Sequence, residues 1–234
     1  MKIAIIGAGS WGSALSILAH QQGHSVVLWA RRESLATLLE KTRGIPYLKG
    51  IPLPAKVRVT ADLCEATAAA ELVVLAVPSH GVREVCDKLS GVVDGKPILN
   101  VAKGIEVSTF ARMSQVVAET IGTNEYAVLS GPSFAQDVAE GKPTAVVVAS
   151  SRMEWAEELQ KNWSGPTFRL YTSDDVAGVE LGGAMKNVIA IAAGVSDGLG
   201  LGESTRAALI TRGLAELVRV GEKLGGQRET FFGL

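Results

Sequence analysis

The chain has 234 residues, 47% of them hydrophobic and 20% charged, with a net charge of −1. Such a chain makes one or two globular domains and buries a core without disulfides. The charge balance excludes the basic excess of a nucleic-acid-binding surface.

In chain order, KIAII (2–6) is a short apolar, β-branched run and predicts a buried strand. Residues 11–22 carry Ala14, Leu15, Leu18 and Ala19 at helical spacing, and Gly23 stops that helix. SVVLWA (25–30) predicts a second buried strand, and 34–41 a short helix. GIPYLKGIPLP (44–54) is a loop by its glycines and prolines. Strands follow at 57–60 and 71–77, the latter closed by Pro78. A helix over 80–89 leads to a strand at 97–102, and a helix over 108–121 to strands at 126–130 and 143–149. A helix at 152–163 and a strand at 168–173 end this series. From 175 to 224 only apolar helical stretches remain, chiefly 179–195 and 205–224.

Continuous apolar strands alternating with helices belong to a mostly parallel sheet covered on both faces. The expected fold class is therefore α/β, a Rossmann-type doubly wound sheet followed by an all-helical segment. The expected division is a dinucleotide-binding domain over 1–173 and the start of a helical substrate and dimerisation domain over 174–234.

The first strand runs into G-x-G-x-x-G at Gly7, Gly9 and Gly12. Between a strand and a helix, this spacing has a physical reading. Gly7 permits the turn, Gly9 lets backbone approach a pyrophosphate, and Gly12 lets helix and strand pack closely. The helix N-terminus then offers amide groups and the positive end of its dipole to phosphates. An NAD-selecting sheet places an acid at the end of the second strand. Here that strand ends in WARRE, with Arg31 and Arg32 beginning nineteen positions past Gly12. Guanidinium groups pair with a 2′-phosphate, so NADPH is the expected cofactor and NADH the alternative. The competing assignment has both arginines in solvent and Glu33 on the ribose.

Two lysines occupy unusual settings. Lys103 ends the PILNVA strand, where open α/β sheets bind ligands. Lys186 lies in LGGAMKNVIAIAAG, an apolar helix in which an isolated charge needs a partner or a function. Both could equally be snorkelling or ion-paired residues. SGPSFA (130–135) ends another strand and offers free amides and the Ser133 hydroxyl, and VPSH (77–80) offers a lone histidine, His80. Cys64 and Cys86 form no C-x-x-C, lie near no histidine cluster and read as reduced core thiols. No metal site is expected. The start MKIAIIGAG lacks the n-region and long apolar core of a signal peptide, and no run of about 18 apolar residues marks a membrane span. A cytoplasmic location is expected.

Taken together, GAGSWGSAL, VPSH, AKG, SGPSFA, ELGGAMKNVIAIAAGVSDGLG and ALITRGLAE resemble the NAD(P)-dependent glycerol-3-phosphate dehydrogenases of the bacterial and plastid type. The resemblance follows the whole chain in order, and the block around GGAMKN is its most specific part. It implies reversible reduction of dihydroxyacetone phosphate by NAD(P)H to sn-glycerol 3-phosphate, a glycerophospholipid precursor. It implies cofactor contacts at Ser10, Trp11, Arg31, Arg32, Tyr47, Lys103 and Ala135, substrate contacts at Lys103, Gly131, Ser133 and Lys186, and Lys186 also as the catalytic proton donor and acceptor. Independently of the resemblance, Gly182 and Gly183 lack bulk, one turn before Lys186, and would let their helix approach nicotinamide or substrate. The chain departs from the family's usual spelling at Lys49 and around Ser204, Thr205 and Arg206. The family pattern continues past residue 234 with an aspartate that partners the lysine and a Ser-Arg-Asn motif, so the helical domain is expected to be incomplete. A homodimer through an exposed apolar helical face is a further expectation. A related β-hydroxyacid-type dehydrogenase and an inactive NADPH-binding fragment are the alternatives.

Overall fold

The computed structural model describes residues 1–233 except 94 and 124. Eight strands form one sheet in the order β3-β2-β1-β4-β5-β6-β7-β8. They are β1 (Lys2–Ile6), β2 (Ser25–Trp29), β3 (Arg58–Thr60), β4 (Leu72–Leu75), β5 (Ile98–Asn100), β6 (Tyr126–Ser130), β7 (Thr144–Ala149) and β8 (Phe168–Ser173). The sheet winds outward in both directions from β1 and β4, so the crevice of a doubly wound fold opens there. All pairings are parallel except β6 with β7. In that exception the five-residue helix α6 (Ala135–Ala139) is the regular structure between the two strands.

The alternation of side chains along each strand divides the core. Ile3 and Ile5 face one layer and Ala4 and Ile6 the other. Helices α1 (Ser10–Gln21), α6 and α7 (Met153–Trp163) cover the first face; α4 (Val82–Leu89) and α5 (Met113–Thr120) cover the second. Two short helices are invisible to apolar periodicity, α6 and α3 (Leu63–Thr67). Asp62 caps α3 through the amides of Cys64 and Glu65. That cap leaves Cys64 exposed, contrary to the expected core thiol, whereas Cys86 is buried. Helix α5 starts later than the expected 108. Residues 105–112 form a hairpin instead, closed by an Ile105–Arg112 bridge, with Glu106 held by Arg83 at 2.8 and 2.9 Å and by Thr109.

After β8 come two long helices, α8 (Val176–Gly198) and α9 (Glu203–Lys223), then a 3-10 turn over 228–232. The buried Asp175 ties this segment together. Its carboxylate accepts from the amides of Gly178 and Gln227 and from the Thr230 hydroxyl, at 2.7–2.8 Å. Leu181, Leu217, Val218 and Phe231 form a small second core. The sequence suggested no membrane-length apolar run, yet α8 is long and apolar enough by length and composition, with mean hydropathy 1.3. Its N-terminal half packs Val179 against Val128 and Ala149 of the sheet, and it carries buried Glu180, so it is a core helix on that side. Its C-terminal half leaves Val188, Ile191 and Val195 exposed.

Candidate functional site

The chain turns from β1 into α1 at the switch point, and the glycines there are set by contact. Gly7 lies at φ +127°, and a Cβ would stand 2.7 Å from the Ala76 carbonyl oxygen at the end of β4. A Cβ at Gly12 would run into the Gly7 carbonyl. Gly9 is different, because a Cβ there meets nothing within 4 Å. Protein packing accounts for Gly7 and Gly12, and open space lies before Gly9. Gly9 caps α1 without a side-chain hydrogen bond, and the first turn holds no acid. This is a cradle shaped for an anionic group. The Trp11 indole N–H is also buried there without a partner. Gly12→Ala must therefore displace backbone, and it is expected to weaken dinucleotide binding at least tenfold, measured by fluorescence titration.

A cleft of about 590 Å³ extends from this turn. Of the residues singled out in sequence, Gly7, Gly9, Ser10, Trp11, Arg31, Arg32, Tyr47, His80, Lys103, Ser133 and Ala135 line it, and Gly12 stands behind it. Arg32 donates from Nη2 to the Tyr47 hydroxyl at 3.0 Å. Glu33, the competing ribose partner, lines a separate recess with Glu40 and Asp62. His80 is exposed in a 3-10 turn at the cleft wall. Sequence reasoning passed over Phe134, Glu84 and Lys88, which also line the cleft. Phe134 carried a signal, being a large apolar residue inside a polar strand-end motif; α4 carried none.

Lys103, on the cleft wall, meets Lys186, which with Gly131 lies outside the lining. Lys103, after β5, donates to the Gly131 carbonyl oxygen at 3.2 Å, and Lys186, from α8, donates to the same oxygen. Gly131 follows β6 at φ +150°, where a Cβ would stand 2.9 Å from Val146 Cα. The Ser133 hydroxyl lies 3.4 Å from that carbonyl. Two ammonium groups in one partly buried place disfavour each other. Burial first, then the positive charge of Lys103, lower the Lys186 pKa to about 8; burial also lowers that of Lys103. Gly183 has a packing role that the sequence did not show. A Cβ there would strike the Ser130 hydroxyl, so the glycine lets α8 lie against the end of β6. Close packing at that point brings Lys186 to Gly131.

A dinucleotide cradle with a low-pKa lysine delivered from a following helical segment defines a nicotinamide-dependent dehydrogenase, with the fold's crevice at the switch point. Residues 2–156 match the family described as NAD-dependent glycerol-3-phosphate dehydrogenase N-terminus, and residues 175–234 match its C-terminus. The chain is 52% identical to glycerol-3-phosphate dehydrogenase [NAD(P)+] of Moorella thermoacetica, covering 100% of this chain and 70% of that protein. The Clostridium perfringens protein of that name is 48% identical, with 100% and 71% covered. The crystal structure of glycerol-3-phosphate dehydrogenase from Coxiella burnetii superposes with a TM-score of 0.95 at 38% identity, covering 100% of this chain and 72% of that one. The chain belongs to the NAD-dependent glycerol-3-phosphate dehydrogenase family.

Proposed function

We propose that the chain reversibly reduces dihydroxyacetone phosphate to sn-glycerol 3-phosphate with NADPH, NADH serving less well, and so supplies glycerophospholipid synthesis from the cytoplasm. The observation that carries this reading is the convergence of Lys186 on the Gly131 carbonyl with Lys103, which lines the dinucleotide cleft. In this reading residues 1–173 hold the dinucleotide and 174–234 begin the substrate domain. The dinucleotide, when bound, supplies the hydride. Gly7, Gly9 and Gly12 shape the pyrophosphate turn, with Ser10, Trp11, Tyr47 and Ala135 along the cofactor. Gly131 and Ser133 hold the substrate. Lys103 faces both ligands and adds positive charge beside the phosphorylated ketone. Lys186 stabilises charge on the ketone oxygen as its ammonium and gives up a proton there; in reverse its free amine takes the alcohol proton. The apolar residues exposed on α8 and α9, among them Ile191, Val195 and Ile210, support association into a homodimer.

Arg31 and Arg32 line the cleft and Glu33 does not, which supports NADPH over NADH. Replacing both arginines with alanine is expected to raise the Kd for NADPH at least tenfold and leave that for NADH within about twofold. The function itself is tested by following loss of NADPH absorbance with dihydroxyacetone phosphate, against β-hydroxyacid and ketoacid pairs as controls. Oxidation with the triose phosphate alone supports the reading. NADPH binding without that turnover, or turnover of a hydroxyacid, rejects it.

A further inference from the structure

Loop 44–54 brings Tyr47 to the cleft wall. It is anchored by buried Ile45 and Leu48 and by a bridge between Gly44 and Pro52. Tyr47 itself is 49% exposed, so core packing does not fix its ring. What secures the chain beside it is Gln136, in the first turn of α6. Gln136 Oε1 accepts from the Lys49 amide at 3.1 Å, and Nε2 donates to the Lys49 carbonyl at 3.1 Å. One side-chain amide thus pairs with both backbone groups of one residue. A carboxylate has no donor for that carbonyl and an ammonium no acceptor for that amide. Nε2 also donates to Glu140 Oε1 at 2.7 Å, which orients the amide.

We infer that Gln136 is a positioning residue that sets the preference between the two nicotinamide dinucleotides. Its amide clips loop 44–54 at Lys49, the clip holds Tyr47, and the Tyr47 hydroxyl holds the Arg32 guanidinium at the cleft. The inference rests on the reading of Arg31 and Arg32 as partners of the 2′-phosphate. The effect falls more heavily on NADPH than on NADH, since the chain of contacts ends at the Arg32 guanidinium, while Tyr47 also lines the cleft that both dinucleotides share.

The test is the Kd of the full chain for NADPH and for NADH, read by tryptophan fluorescence; Trp11 and Trp29 line the cleft. Gln136→Met keeps length and helix preference but removes both hydrogen bonds to Lys49 and the one to Glu140. It is expected to weaken NADPH binding roughly fivefold, the worth of about 1 kcal/mol, and NADH binding by less than about twofold. Tyr47→Phe should give a similar loss, and the double variant no more than either alone. Unaltered NADPH binding by Gln136→Met, equal losses for both dinucleotides, or additive losses in the double variant overturn the inference. Wild-type chain that binds both dinucleotides equally overturns the underlying cofactor reading instead, a result seen before any substitution is made.

Discussion

Replacing Lys186 with methionine is expected to lower the rate of ketone reduction about 10³-fold while NADPH still binds, as measured by turnover and by fluorescence titration. Methionine keeps the apolar stem and removes both the charge and the proton. Lys186 does not line the dinucleotide cleft, so the loss should fall on kcat. The pH profile gives a second test. Reduction needs the ammonium form, so its rate should fall as pH rises through about 8; oxidation of the alcohol needs the free amine and should rise through the same pH. Lys103 contributes to that low value by its like charge. Lys103→Met should therefore move the inflection upward as well as weaken substrate binding. A lysine-independent rate would remove Lys186 from the proton-transfer role, and a limb that stays in place without Lys103 would leave burial as the cause of the lowered pKa.

Glu180→Ala is expected to cost about 3 kcal/mol of stability, lowering the thermal midpoint by roughly 10 °C in a melt followed by circular dichroism. Glu180 is 5% exposed. Its carboxylate accepts from Arg112 at 2.9 Å and from the Ser114 amide, the Ser114 hydroxyl and the Tyr126 hydroxyl, each at 2.7 Å. Removing it strands an arginine, a hydroxyl on a half-buried ring and a helix-start amide at once. Burial, with the nearby Glu180 charge, drives the Tyr126 pKa well up and keeps that group a neutral donor. By contrast the Arg58–Glu65 pair is 66% and 46% exposed, and Glu65→Gln should cost below about 1 kcal/mol. Equal effects at the two sites would show that the Glu180 network adds nothing to stability. The network matters beyond stability because α8 carries Glu180 and Lys186 together, and Glu180 ties that helix to α5 and β6.

Much of the architecture was legible because strands buried on both faces leave unbroken apolar runs. KIAII, SVVLW and TAVVVA needed no tertiary information. The five-residue helices α3 and α6 were illegible, since one turn and a half has no periodicity to read. The antiparallel β7 was illegible too, because an apolar strand has the same composition in either direction. The start of α5 was misplaced by a hairpin whose cause, Arg83 gripping Glu106, joins residues far apart in the chain.

The sequence by itself determined the dinucleotide turn, the arginines that end β2, and the two lysines as candidates, because each rests on a local chemical rule: a glycine conformation, a strand end, a charge in an apolar helix. Only the tertiary structure decided that Lys103 and Lys186 share the Gly131 carbonyl, that Glu33 lies outside the cleft, and that Gln136 clips the Tyr47 loop. These are distances between segments separated by tens of residues, set by how α8 packs at Gly183 and how the sheet reverses at β1 and β4. Local propensity carries no information about them, since it is long-range packing that selects which strand ends meet.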